Sequence, residues 1–182
     1  MRVITGSAKG RRLITLEGED IRPTADKVKG AVFNSIQFDI EGRRVLDLFA
    51  GAGQLGIEAL SRGAEKAVFV DLNRAAVAVI NENLEHCKLK ENAVVFNGDG
   101  ISYLKTTREK FDIVFIDPPY KKQLTSKALP LVLSVLNDGG VIVCETAIDE
   151  ELPQAIGSYT VAKQDTYSKT KLTIYRYSAD ED

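Results

Sequence analysis

Between residues 44 and 144 the chain alternates short apolar runs with amphipathic ones, an order that leaves few folds open. Residues 44–49, 66–71, 93–97, 111–117 and 141–144 read as strands. Residues 55–62, 74–87, 101–106 and 126–136 read as helices, the last stopped by Asn137-Asp138-Gly139-Gly140. Such an order links parallel strands by right-handed crossovers and places helices on both faces of one sheet. An α/β class is therefore expected. The two ends read differently. Residues 159–166 and 171–177 alternate about the polar turn Tyr167-Ser168-Lys169-Thr170, predicting an antiparallel hairpin at the sheet edge. Residues 2–5 and 11–16 flank Gly6-Ser7-Ala8-Lys9-Gly10 and predict a second hairpin. A helix follows from Pro23 to Ile36, with Thr24 as N-cap. Gly30 inside that helix costs about 1 kcal/mol against alanine.

The length of 182 residues suits one domain with a small appendage. A net charge of −2 excludes a protein that coats nucleic acid with its whole surface. The charge is uneven, however. Arg2, Lys9, Arg11 and Arg12 stand with no acid in residues 1–12, and Arg22 and Lys27 extend this candidate nucleic-acid patch. A cationic edge hairpin guarded against aggregation has the same composition. Cys87 and Cys144 lie in apolar contexts and make neither a zinc site nor a disulfide framework, so a reducing cytoplasm and no metal are expected. No apolar run approaches the ~18 residues that cross a bilayer, and the N-terminus lacks the apolar core of a signal peptide.

Gly51-Ala52-Gly53-Gln54-Leu55-Gly56 sits between a strand and a helix, and Asp71 ends the next strand. That is the pattern of a nucleotide-binding turn. Asp47, four residues before Gly51, decides what kind. A buried carboxylate opposes a pyrophosphate but favours the ammonium and sulfonium of S-adenosylmethionine (SAM). The expected cofactor is thus SAM rather than a nicotinamide dinucleotide. Phe49, Gly51 and Gly53 would let the backbone approach its methionine part, and Asp71 would accept both ribose hydroxyls. Asp99, followed by Gly100, would accept from the adenine amine or else cap a helix. Leu72 and Ile101 would sandwich the ring, and no cofactor residue is expected before Asp47.

Asp117-Pro118-Pro119-Tyr120 closes the fourth strand. A carboxylate, a carbonyl presented by the Pro118 turn and a ring face suit the capture of a flat amine-bearing group for methylation at nitrogen. A plain turn closing a strand has the same residues. His86, the lone histidine, is expected on a helix surface without a catalytic role.

With these residues in place, the chain resembles the RsmD family. The resemblance rests on Met1-Arg2-Val3-Ile4, Gly6, Gly10-Arg11-Arg12-Leu13, Arg22-Pro23-Thr24 and Phe33-Asn34. It continues in the run from Val45 to Gly53, in Leu55-Gly56-Ile57-Glu58-Ala59-Leu60-Ser61-Arg62-Gly63-Ala64, in Asp117-Pro118-Pro119-Tyr120 and in Lys169-Thr170-Lys171. It departs at Lys29, Gly30, Asp71 and Ser168, where the family favours Arg, Glu, Glu and Gly. The resemblance implies a SAM-dependent methyltransferase with a Rossmann-like, seven-stranded, mostly parallel sheet. Its C-terminal edge strand would be antiparallel, and an N-terminal β-hairpin and helix would be added. Residues 1–40 would form an RNA-binding appendage and residues 41–182 the methyltransferase domain. The implied reaction methylates the exocyclic N2 amine of a guanine in 16S ribosomal RNA, with Asp117, Pro118, Pro119 and Tyr120 as the catalytic residues. The RNA would be met free or within a partly assembled small subunit, and the enzyme would act as a monomer. Adenine N6 or a protein glutamine remains open as the acceptor, since Asp-Pro-Pro-Tyr alone does not separate these amines.

Overall fold

Alternation along each strand decides which layer it supports. In β1 (Arg44–Leu48), Val45 joins one buried cluster, while Leu46 and Leu48 join another on the opposite face. The same split runs through β2 (Lys66–Asp71) and β4 (Phe111–Ile116), so all three strands are covered on both sides. The structure, a computed structural model, describes residues 1–17, 23–119 and 123–178. Around the parallel core run the helices α1 (Pro23–Ser35), α2 (Gln54–Ser61), α3 (Arg74–His86), α4 (Gly100–Thr106) and α5 (Leu124–Val132). The remaining strands are β3 (Ala93–Asn97), β5 (Leu136–Ala147), β6 (Ala155–Ile156), β7 (Tyr159–Tyr167) and β8 (Thr170–Tyr177).

These strands form one eight-stranded sheet in the order β3-β2-β1-β4-β5-β8-β7-β6. The first five run parallel to one another, and the β5–β8, β8–β7 and β7–β6 pairs are antiparallel. The fold is the expected α/β class, with one strand more than seven. The extra strand is β6, two residues long and too short for any alternation to show. The C-terminal hairpin also does not simply append an edge, because β8 inserts between β5 and β7.

On one face α1, α2, α3 and the N-terminal segment pack together through Val3, Leu13, Phe33, Ile57, Ile80 and their neighbours. On the other, α4 and α5 cover the sheet through Leu104, Ala128 and Leu129. The expected N-terminal hairpin is present but short: Arg2 and Arg12 form an antiparallel bridge, Val3 N–H donates to the Arg11 carbonyl at 2.9 Å and Leu13 N–H to the Met1 carbonyl at 3.0 Å. Its turn also bonds α2, with Ser7 N–H donating to the Ser61 carbonyl at 2.8 Å. α1 starts at Pro23, one residue ahead of the expected cap Thr24, whose side chain lies outside those described.

α5 and β5 differ most from expectation. α5 ends at Val132, and β5 begins at Leu136 rather than 141. Phe111 pairs with Leu136 but Ile113 pairs with Val141, so the Asn-Asp-Gly-Gly run is bulged into the strand. Gly139, at φ 72°, takes the left-handed turn that the bulge requires. The β7–β8 connection places Ser168 at φ 56°, where the family's usual glycine would be unstrained. No helix among the described residues is long and apolar enough to cross a membrane.

Candidate active site

Three strands carry an acid at or next to their carboxyl ends, and register puts those acids on one face. Asp47 of β1 lies level with Phe69 of β2 and Phe115 of β4, both of which face α2. Asp71 and Asp117 stand two residues beyond these phenylalanines, so the two-residue alternation of strands carries them to the same side. Here Asp47, Asp71 and Asp117 line one cavity of about 630 Å³ with Phe49, Gly51, Pro118 and Pro119. A site of this size at the carboxyl ends of parallel strands is where open α/β sheets hold small ligands.

The glycine turn is built by backbone geometry. Phe49, Gly51 and Gly53 all have positive φ, at 62°, 56° and 80°. A left-handed aromatic residue stores strain, and such strain collects at functional turns. Gly53 N–H donates to Ala50 O at 2.7 Å, closing the turn that leads into α2. A methyl group on Gly56 would come within 2.3 Å of the Phe69 ring, so α2 can approach β2 only with glycine there. Phe49 in turn leans on Gly100, where an added Cβ would lie 2.8 Å from its ring.

Two carboxylates fix this turn. Asp71 accepts Gly51 N–H at 2.8 Å through one oxygen and Asn73 N–H at 2.8 Å through the other. Each oxygen keeps acceptor capacity for a further hydroxyl. Asp47 is 1% exposed and accepts Gly56 N–H at 2.9 Å. Burial holds its carboxyl well above the usual carboxylate range; the Gly56 bond opposes this, and Asp117 and Asp71 add to it. No salt bridge to Asp47 exists among the described residues. A cationic ligand would relieve this carboxyl and a phosphate would worsen it, so the donor set fits SAM.

The other expected cofactor residues are placed differently. Leu72 is 69% exposed, and neither it nor Asp99, Gly100 nor Ile101 lines the cavity. Asp99 caps α4, accepting Ser102 N–H at 2.8 Å. Gly53 sits behind the wall, its Cβ position facing Ile80 and Phe69. Tyr120 and Arg22 lie outside the described residues. Arg2, Lys9, Arg12 and Lys27 are exposed, whereas Arg11 donates to the His86 carbonyl at the end of α3. That position suits a cation by the helix dipole. His86 is exposed, as expected.

The cavity also contains residues that the sequence pattern did not single out. Met1 and Leu16 line it, so the wall does not begin at Asp47. Gln54 lines it too, with Oε1 buried and without a hydrogen-bond partner. Asn73, which lines the cavity, was readable as the polar residue before α3, and its side chain caps that helix through Ala75 N–H. Glu145 stands on β5 beside Asp117, since Ile116 pairs with Cys144 one residue earlier. Burial, then Asp117 and Asp47, hold its carboxyl well above the ordinary 4.5.

An eight-stranded sheet of this order, with a glycine turn and acids on its strand ends, is the fold of SAM-dependent methyltransferases. The family described as conserved hypothetical protein 95 matches residues 1–176, and the chain belongs to it, the RsmD family. YlbH of Bacillus subtilis (strain 168) is 41% identical over 181 residues, covering 97% of this chain and 98% of that protein. The Haemophilus influenzae protein named ribosomal RNA small subunit methyltransferase D is 35% identical, covering 97% of this chain and 93% of its own. The solved structure of yhhF from Escherichia coli superposes with a TM-score of 0.88 at 31% identity, covering 99% of both chains.

Proposed function

We propose that the chain methylates the exocyclic N2 amine of a guanine in 16S ribosomal RNA, using SAM. One observation carries the reading. The Asp117-Pro118-Pro119 turn opens into the same cavity as the glycine turn and the Asp47 and Asp71 carboxylates. Acceptor amine and methyl donor would therefore meet there. Relatives named ribosomal RNA small subunit methyltransferase D support the RNA substrate.

In this reading Asp71 holds the ribose hydroxyls of the cofactor and Asp47 faces its cationic end. When bound, SAM supplies an electrophilic methyl group on a sulfonium. The chain's own residues prepare the acceptor. Its nitrogen is a poor nucleophile because the lone pair is delocalised into the base. Asp117 accepts one N–H of the amine and the Pro118 carbonyl accepts the other, drawing the nitrogen out of plane and freeing the lone pair. Neither Pro118 nor Pro119 has a backbone N–H, so no main-chain donor of that pair competes for it. Tyr120 would offer the ring face on which the unstacked base rests. Alignment of the two reactants supplies much of the remaining rate.

The test is nucleoside mass spectrometry of 16S rRNA from a strain lacking this chain. Loss of an N2-methylguanosine, restored by the intact gene and not by Asp117→Ala, is the expected result. Loss of N6-methyladenosine instead would move the acceptor to adenine. Unchanged rRNA nucleosides would overturn the RNA substrate altogether.

A further inference from the structure

Asn83 on α3 is fully buried and touches nothing in the proposed chemistry, yet all of its amide is used. Its Oδ1 accepts Ile14 N–H at 2.8 Å, and its Nδ2 donates to the Ile14 carbonyl at 2.9 Å and to the Ala52 carbonyl at 3.0 Å. One side chain thus ties the N-terminal segment to the glycine turn, and Ala52 lines the cavity.

A second fastening lies on α2. Glu58, 0% exposed, accepts Ile4 N–H at 2.8 Å and Thr5 N–H at 3.0 Å. Its charge is matched by Arg62 at 2.9 Å and by the buried Lys29 at 3.5 Å, which also donates to the Arg2 carbonyl at 2.7 Å. Ser61 Oγ accepts Ala8 N–H at 2.9 Å and donates to the Thr5 carbonyl at 2.7 Å. Gly6 lies so close to this point that a Cβ would fall 1.7 Å from the Ser61 carbonyl oxygen.

The fastened segment has two working sides. Met1 and Leu16 line the cavity, while Arg2, Lys9 and Arg12 are exposed. We infer that residues 1–16 form a wall shared by two ligands, SAM inside and RNA phosphates outside, with Asn83 as the positioning residue that joins this wall to the glycine turn. The inference rests on the proposed function. Its consequence is energetic coupling: RNA that immobilises the segment prepares the cavity, so RNA strengthens SAM binding and SAM strengthens RNA binding by the same factor. A coupling of about 5-fold or more is expected, the lower end of the usual range.

Calorimetry on the full chain tests this, with SAM titrated alone and then in the presence of unmethylated 16S rRNA. The wild-type chain should bind SAM about 5-fold or more tightly with RNA. Asn83→Ala should bring that ratio close to one. Leu16→Ala, a partly exposed position where folding is not at stake, should weaken SAM several-fold while leaving affinity for RNA alone unchanged. Amide exchange across residues 2–16 should slow when SAM is added. Equal SAM affinity with and without RNA, full coupling in Asn83→Ala, or a Leu16→Ala chain of undiminished SAM affinity would each overturn the shared wall, leaving the proposed function standing. A chain that bound neither SAM nor RNA would overturn both.

Discussion

Asp117 and Asp47 sit in one cavity, and the proposed function gives them different partners, which single substitutions separate. Asp117→Ala should lower turnover by about 100-fold, the usual cost of one aligned polar group at a reacting centre. Its SAM affinity should change little. Asp47→Ala should weaken SAM by about tenfold, since it leaves the cationic end of the ligand without its acceptor. Methyl incorporation and calorimetry on both variants give the comparison, and reversed phenotypes would invert the assignment. Glu145 carries a pH signature. Its folded carboxyl is raised by burial and by Asp117 and Asp47, so the folded state holds the proton more tightly than the unfolded one. That contribution is present at and below pH 4.5, the ordinary value, and is lost as pH rises through the folded value. Glu145→Gln should therefore raise the melting temperature of the ligand-free chain by an increment that grows above pH 4.5. An increment independent of pH would show that charge is not the cause. The acids Asp47, Asp71 and Asp117 were legible because each stands at or near the end of an apolar run. Asp99 stands two residues past its strand and takes the helix-cap alternative, accepting Ser102 N–H through one oxygen. Asn83 and Gln54 were hidden, because polar residues within amphipathic helices usually face water.

At the scale of elements, the strand–helix alternation of the parallel half carried over almost residue for residue, since each strand is apolar and bounded by breakers. The misread stretch is the α5–β5 junction. Asn-Asp-Gly-Gly has the chemistry of a turn, and only the pairing of Phe111 with Leu136 shows that it bulges from a strand already begun. In α1 the family departures take on separate meanings. Lys29 lies buried in the fastening of the N-terminal segment. Gly30 has nothing within 4 Å of an added Cβ and a helical backbone, so it carries the entropic penalty of glycine without a steric reason. Gly30→Ala should stabilise the chain by about 0.5–1 kcal/mol, read as a higher denaturant midpoint at unchanged slope. A loss of stability would point to a backbone requirement there.

Across the whole molecule, a net charge of −2 coexists with a cationic N-terminal segment. Of its four cations, Arg11 is engaged at the end of α3, which leaves Arg2, Lys9 and Arg12 for phosphates. Neutralising those three together should lower RNA affinity and reduce the slope of log affinity against log salt by about one unit for each phosphate no longer neutralised. An unchanged slope would mean that the segment's charge serves only its own solubility. The segment's composition was legible as cationic, but its attachment was not: hairpin spacing does not say what the ribbon packs on, and burial of Val3, Ala8 and Leu13 makes it part of the core.

The fastening of that segment also sets an order of events in time. Ile4 reaches Glu58 across 54 positions and Ile14 reaches Asn83 across 69. The segment therefore has nothing to dock on until α2 and α3 are in place. Joining positions this far apart costs more closure entropy than the local contacts of any single helix, and that cost is met before the docking bonds form. The cationic stretch is thus fixed only after the helices it docks on, and the cavity is completed only when it arrives.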